Sequence, residues 1–550
     1  MGSEYEGRSA AEVVAGMKER FASGKTRIFQ WRVAQLKAIV RMIDEKEDEI
    51  AAAIYEDLAK SRTEACLQEI ALAKDACLFT LKKLKHWVKP QKVSTSILTF
   101  PSTAQIVPEP FGVILIISAW NYPFYGQRHP CGDNVNVGKV AMESLAFGSS
   151  TQPCYATNDI LVAVVIQTCF VAYIMDFGTY QYYFSSPVLS IEPVIGAIAA
   201  GNTVVLKPSE VAPSTSSFFA KVLPKYVDNS CIRVLEGSAS ETSELLEQKW
   251  DKIMYTGNPR VARIVMAAAA KHLTPVILEL GGKCPLIVDS NIDLKVAAKR
   301  IVVGKWGSNS GQACIAPDYI ITTKSFAAKL VDALKIALQK FYGKDPLQST
   351  DLSRIVNIRH FARLRNLLED EKVSGKIVYG GLQDEKDLKI APTILLDVPC
   401  DALMMEEEIF GPLLPIVTVD DLGQSFDIIN SKEKPLAAYL FTRDQRLEEN
   451  FVKTVSAGGM LINDTILQFT NRHLPFGGVG ESGMGFYHGK FSFDAFSHKK
   501  AVLRRCFIVE IPMRYPPYTP QKQKVVRGLM SGNVLPLLHA LIRWPNRRNG

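Results

Sequence analysis

Five short, mostly apolar runs do most to limit what this chain can fold into: Val113 to Ile117, Thr203 to Leu206, Cys231 to Leu235, Lys252 to Tyr255 and Pro275 to Leu278. A run that is apolar at nearly every position has no solvent face, so it suits a strand covered on both sides of a parallel sheet. The periodic segments between the runs are long enough for crossover helices. This order predicts an α/β fold with a doubly wound, Rossmann-type parallel sheet. Further alternation from Leu286 through Val417 to Leu461 predicts a second α/β unit of similar size. Ahead of the first run, Met1 to Lys25 reads as a helical start. Gln30 to Lys60 and Thr63 to Trp87 then repeat apolar residues at helical spacing, as in Leu36, Ile39, Met42 and Ile43, which predicts two long amphipathic helices.

The chain has 550 residues, of which 47% are hydrophobic and 22% charged, so it can bury more than one core and is not a disordered protein. The net charge of +8 is spread without a basic block, which excludes an electrostatic nucleic-acid groove and points only to solubility. Ten cysteines lack paired C-x-x-C spacing, and the N-terminal residues lack an apolar targeting segment or a myristoylation signal. The expectation is a reducing, cytoplasmic setting with free thiols, no disulfide framework and no metal site.

Three residues stand out for chemistry. Cys314 lies in the uncharged turn Gly311-Gln312-Ala313-Cys314, where a thiol is a nucleophile if something removes its proton. By itself, an isolated cysteine is more often a small core residue. Glu279 ends an apolar strand and precedes Leu280-Gly281-Gly282-Lys283, so a carboxylate reaches a sheet edge where backbone can approach a ligand. Asn121 follows the strand ending near Ser118 and can turn an amide N–H toward a developing oxyanion, although a lone asparagine is commonly a turn residue.

Taken together, FGVILIISAWNYPF at 111–124, LSIEPVIGAIAAGNTVVLKPSE at 189–210, LELGGK at 278–283, GQACIAPDY at 311–319 and EEIFGP at 407–412 resemble the aldehyde dehydrogenase superfamily over about residues 10–500. The stretches Tyr255 to Pro259, Ala316 to Tyr319 and Leu474 to Gly480 look most like its class 3 and fatty aldehyde branch.

The resemblance implies NAD(P)-dependent oxidation of an aldehyde, medium- or long-chain and aliphatic in this branch, to a carboxylate. In that family the thiolate matching Cys314 attacks the carbonyl. The amide matching Asn121 and the backbone N–H of Cys314 hold the oxyanion, and the carboxylate matching Glu279 activates the water that hydrolyses the thioester. Cofactor-binding positions carry over to Lys207 and Glu210 for the adenosine ribose, Gly257 for the pyrophosphate turn, Glu408 for the nicotinamide ribose, and Phe410 and Trp120 beside the ring. A carboxylate at 210 favours NAD, with NADP also accepted. Two small departures, Ala262 where the family has Gly and Cys284 where it has Ser or Asn, remove no chemical group.

The implied organisation is an NAD(P)-binding domain at 1–90 and 108–278, a catalytic domain at 279–465, an oligomerisation element at 91–107 and 466–506 that makes a homodimer, and a C-terminal tail at 507–550. The large departure is the segment 125–188, which separates Phe124 from Leu189 where relatives have about one residue. Its only charged residues are Arg128, Asp133, Lys139, Glu143, Asp159 and Asp176. Within it, Ile160 to Met175 is shorter than the roughly 20 residues of a membrane helix, so a buried strand pair or hairpin is preferred to a membrane span. The odd composition suggests translated intron sequence or a gene-model error, and makes a catalytically impaired isoform the second functional reading. A third reading is an acyl-CoA- or acyl-phosphate-linked reductase of the same fold, against which Glu279 argues for hydrolysis. Val525 to Trp544 reads either as an amphipathic segment on a membrane surface or as a solvated tail.

Overall fold

The computed structural model describes residues 9–95, 99, 102–124, 190–507 and 514–531. The readings made above for 125–188 and for the end of the tail therefore lie outside the described residues.

All five apolar runs become neighbouring strands: Val113–Ile117, Thr203–Lys207, Ile232–Val234, Lys252–Thr256 and Val276–Glu279. They are parallel, and Val113–Ile117 lies between Thr203–Lys207 and Lys252–Thr256. From that central strand the chain first winds outward to Ile232–Val234 and later back across to Val276–Glu279. The reversal makes a crevice at the C-terminal ends of Val113–Ile117 and Lys252–Thr256, where a doubly wound sheet receives its ligand. Register fixes what stands along this edge: Ile117 is opposite both Lys207 and Tyr255, and Thr256 is opposite Glu279. Gly483–Met484 completes the sheet antiparallel to Val276–Glu279.

In a second sheet of seven strands, Pro285–Val288 lies between the central strand Tyr319–Thr323 and Ala437–Phe441. Leu413–Val419 and Gly459–Ile462 extend it in parallel. Three of the family-like motifs, at 278–283, 311–319 and 407–412, run directly into starts of strands in this sheet. The C-terminal edge of one sheet therefore faces the N-terminal edge of the other, and Glu279 to Cys284 crosses between them.

The helical N-terminal part is more broken than its periodicity predicts. The first expected helix divides at Lys46 (φ −123°, ψ 17°) into Phe29–Glu45 and Glu47–Leu58. The second consists of Arg62–Ala65, a π-helical turn at Cys66–Ile70 and Ala71–Trp87. The apolar stripe continues through the Lys46 break, with Ile39, Met42, Ile43, Ile50 and Ile54 all buried, which is why spacing alone does not reveal it. A further helix, Ala10–Ala22, begins at a capping box made by Ser9 and Glu12.

Gln91–Val93 pairs antiparallel with Ser102–Pro110, and Ser497–Arg505 lies on the other side of Ser102–Pro110. The two separated pieces assigned to the oligomerisation element thus meet in one three-stranded antiparallel sheet.

Candidate active site

The turn that carries Cys314 is bent by three consecutive left-handed residues, Asn309 (φ 52°), Ser310 (φ 50°) and Gly311 (φ 78°). Such a run is sterically costly for residues with a Cβ and persists only where its surroundings fix it. Here Ser310 Oγ donates to the Ser353 carbonyl at 2.8 Å, and Gln312 Nε2 donates to the carbonyls of Asn309 at 3.1 Å and Arg354 at 2.9 Å. Gln312 Oε1 also accepts from the Val356 N–H at 3.0 Å. Gly311 has no substitute, because an added Cβ would run into the Gly411 carbonyl. The turn is thereby pressed against the 407–412 motif, and Trp306 Nε1 donates to the Pro412 carbonyl at 2.7 Å beside it.

Asn121 is buried, and its Nδ2 donates to the Gln312 carbonyl at 3.0 Å, which puts its amide against the cysteine turn. Tyr122, Ala313, Ala316 and Ala119 form a small apolar cluster around the two. Cys314 keeps some exposed surface, but burial of its sulfur pushes the thiol well above its ordinary range. The neighbouring acidic groups Glu408, Cys284 and Glu279 act in the same direction, and the cysteine's own backbone N–H opposes it. The thiol is accordingly protonated at rest.

Glu279 ends its strand buried, and neither carboxyl oxygen has a hydrogen-bond partner among the described residues. Burial alone holds its carboxyl well above the carboxylate range. A buried acid without a partner is costly and rare, and it points toward function.

Glu408 is also raised, to about 8, first by burial and then by the charge of Asp318. Its carboxylate lies so close over Gly281 that a Cβ there would displace it. Phe410 adopts φ 50°, and its ring meets that of Trp120 edge-on at 5.5 Å. The tryptophan turn of the first unit is thus joined to the glutamate motif of the second.

The edge of the first sheet has groups suited to a dinucleotide. Lys207 is buried and its Nζ donates to Glu210 at 2.6 Å, while the Glu210 carboxylate remains half exposed. The buried hydroxyls of Ser118 and Thr256, at the ends of adjacent strands, have no partner among the described residues. Gly257 leads from Thr256 into the helix Pro259–Ala270, whose N-terminus is capped by Asn258 and opens beside the same crevice. Ala262 lies buried on that helix.

Sequence reasoning missed several residues. Lys283 is quoted above only as part of a motif, yet its buried Nζ pairs with Asp318 and donates to the carbonyls of Met404 at 2.8 Å and Glu407 at 3.0 Å. Asp318 in turn accepts from the Ile409 N–H at 3.0 Å. This one pair fastens three motifs together. Arg363 donates to the Glu408 carbonyl at 3.3 Å. Lys305 is fully buried with no hydrogen-bond partner among the described residues, and burial lowers its ammonium to about 8. Its one available signal was a lysine closing the apolar periodic stretch 296–306. The described residues contain no cluster of ligands for a metal.

A model of the aldehyde dehydrogenase family matches residues 3–129 and 184–502, leaving out most of the segment that departs from the pattern. Aldehyde dehydrogenase family 3 member I1, chloroplastic, from Arabidopsis thaliana is 52% identical over 97% of this chain and 85% of its own length. A substrate-bound Staphylococcus aureus AldH is 36% identical and superposes with a TM-score of 0.80 over 94% of this chain and 99% of its own. The fold alone is shared with an indole-3-acetaldehyde dehydrogenase complexed with NAD+, 21% identical with a TM-score of 0.70 over 90% of each chain. With the cysteine turn, the partnerless carboxyl and the cofactor crevice brought to one junction between two sheets, this chain belongs to the aldehyde dehydrogenase family and is an aldehyde-oxidising enzyme.

Proposed function

We propose that the substrates are medium- or long-chain aliphatic aldehydes, that NAD is the preferred cofactor with NADP accepted, and that the reaction passes through a thioester on Cys314. The observation that carries this reading is the meeting of Cys314, Asn121 and Glu279 beside a sheet edge equipped for a dinucleotide. The partly exposed thiol gives its proton to solvent water and attacks the aldehyde carbon, and the oxygen acquires charge beside the Asn121 amide and the Cys314 backbone N–H. Bound cofactor supplies the acceptor for the hydride that leaves the thiohemiacetal carbon. Glu279, once ionised, takes a proton from the water that cleaves the thioester. Lys207 and Glu210 fit ribose hydroxyls as a donor and an acceptor, and Glu408 fits the second ribose, with Trp120 and Phe410 beside it. Gly257 gives the pyrophosphate a close approach to a helix N-terminus. The domain boundaries stated above fit a division of labour in which Lys207, Glu210 and Gly257 precede 279, while the nucleophile and the nicotinamide-side residues Glu408 and Phe410 follow it.

Aliphatic selectivity has a direct test. Each methylene buried in an apolar pocket contributes about 0.8 kcal/mol, so kcat/KM should rise by up to about fourfold per added carbon until the pocket is filled. Purified full chain with a series of linear aldehydes should yield NADH and carboxylate in equal amounts. A variant lacking residues 125–187 should turn over at a comparable rate. Folded protein that makes no NADH with any aldehyde overturns the reading, and activity only in the deletion variant identifies an impaired isoform.

The nucleotide preference rests on Glu210. Because its carboxylate is half exposed, its repulsion of a 2′-phosphate should amount to only about 1 kcal/mol, or roughly fivefold in relative KM. Glu210→Gln should shift the NADP/NAD ratio by that amount, and an unchanged ratio removes Glu210 from the cofactor site.

For the homodimer, support comes from the three-stranded sheet, whose edge strand Gln91–Val93 is exposed throughout and open to pairing. No helix among the described residues is long and apolar enough to cross a membrane. Peripheral contact would use the helix Pro520–Met530, which carries Lys522, Lys524 and Arg527. The free thiols suit a cytoplasmic setting.

A further inference from the structure

Lys60 and Glu69 are completely buried and paired, Nζ to Oε1, at 2.5 Å. They lie far from the cysteine turn in sequence, on the segment between the helices Glu47–Leu58 and Ala71–Trp87. Their remaining bonds go to one short piece of chain. Lys60 Nζ donates to the Asn121 carbonyl at 3.1 Å and lies 3.7 Å over the centre of the Tyr122 ring. Glu69 Oε2 accepts from the Phe124 N–H at 2.7 Å. The turn 121–124 is therefore gripped at both ends by a single ion pair.

The same segment also holds the cysteine turn. Glu64 accepts from the Asn309 N–H at 2.8 Å and from Ser353 Oγ at 2.9 Å, and Gln68 donates to the Gly307 carbonyl. Asn309 Nδ2 donates to the Asn121 carbonyl at 3.0 Å, so that oxygen accepts from both sides. Glu69 and Gln68 face these partners from the π-helical turn Cys66–Ile70, a local overwidening that is often found at functional sites.

We propose that Lys60 and Glu69 are positioning residues for aldehyde oxidation: together they clamp the turn Asn121 to Phe124 and keep the Asn121 amide aimed at the reacting carbonyl oxygen. The proposal rests on Asn121 being an oxyanion donor. A fully buried ion pair adds little to stability compared with a well-packed apolar replacement, because desolvation offsets the attraction. Its bonding to a catalytic turn gives it a different use. Burial raises the Glu69 carboxyl to about 7, against the pull of the Lys60 ammonium and the Phe124 N–H.

The test removes both charges at once, as Lys60→Met with Glu69→Gln, so that no lone charge is left buried. Loss of the clamp should lower kcat by roughly ten- to a hundredfold through misplacement of Asn121, with KM for aldehyde changing far less. Asn121→Ala alone should lower kcat by about 10²- to 10³-fold. If the clamp acts through Asn121, adding the double substitution to Asn121→Ala costs nothing further. Alkylation of Cys314 by iodoacetamide, which displaces iodide from a saturated carbon and needs no oxyanion site, should keep its rate in every variant. A purely structural role would lower the melting temperature and the alkylation rate together. Lys60→Met alone, in which the buried Glu69 carboxyl can take up a proton and still accept from the Phe124 N–H, should fall between wild type and the double variant and serves if the latter does not fold.

A double variant with wild-type kcat, or fully multiplicative effects with Asn121→Ala, overturns the clamp. Wild-type kcat in Asn121→Ala instead overturns the oxyanion assignment beneath it.

Discussion

Cys314→Ser is expected to lower NADH formation by at least about a thousandfold, as removal of a catalytic nucleophile does elsewhere. Burial already holds the thiol above its usual range, and a hydroxyl in the same place would be harder still to deprotonate. The substitution exchanges sulfur for oxygen in a turn fixed by neighbouring residues, so the fold and cofactor binding should survive. The check is steady-state NADH formation beside NAD titration and a melting curve on the same sample. Appreciable turnover by a stable, NAD-binding Ser variant would remove Cys314 from the mechanism. Loss of NAD binding as well would mean that the turn shapes the cofactor site.

Glu279→Gln separates the two halves of the reaction. Attack and hydride departure do not need the carboxylate, so a rapid burst of about one NADH per site should remain. Hydrolysis should then stall, because general-base assistance contributes about 10²- to 10⁴-fold. The pH dependence follows from the raised carboxyl: protonated, Glu279 cannot accept a proton, so hydrolysis in the wild type increases as pH rises through its elevated range. In the Gln variant that dependence should disappear. Stopped-flow NADH formation across pH gives both results. A variant without a burst would place Glu279 in the first half-reaction, and one with normal steady turnover would assign the base elsewhere.

The sheet strands were legible because full burial leaves a plain mark, a run without a polar alternation, and register then brings Lys207, Thr256 and Glu279 to one edge. The break at Lys46 and the π-helical turn at Cys66–Ile70 left no such mark. One changed dihedral pair or one extra residue per turn hardly disturbs an apolar stripe. Cys314, Glu279 and Asn121 were found because their motifs resemble a family, since each residue alone has an ordinary reading. Lys60 could not be found that way: it lies 61 positions from Asn121 and in sequence looks like any helix-end lysine with a solvated charge. The contacts of Lys283 and Asp318 are equally invisible, because buried charge pairs are formed across elements that sequence spacing does not relate.

The parallel pairing of Val113–Ile117 with Thr203–Lys207 is continuous through five residue pairs, and these strands stand on opposite sides of the segment that interrupts the family match. What joins the two portions is therefore the sheet itself, reinforced by buried contacts such as Phe124 on Phe219 at 5.0 Å. In engineering terms, separate fragments divided between 124 and 190 would carry complementary faces, which makes the position a natural split point for a two-component enzyme.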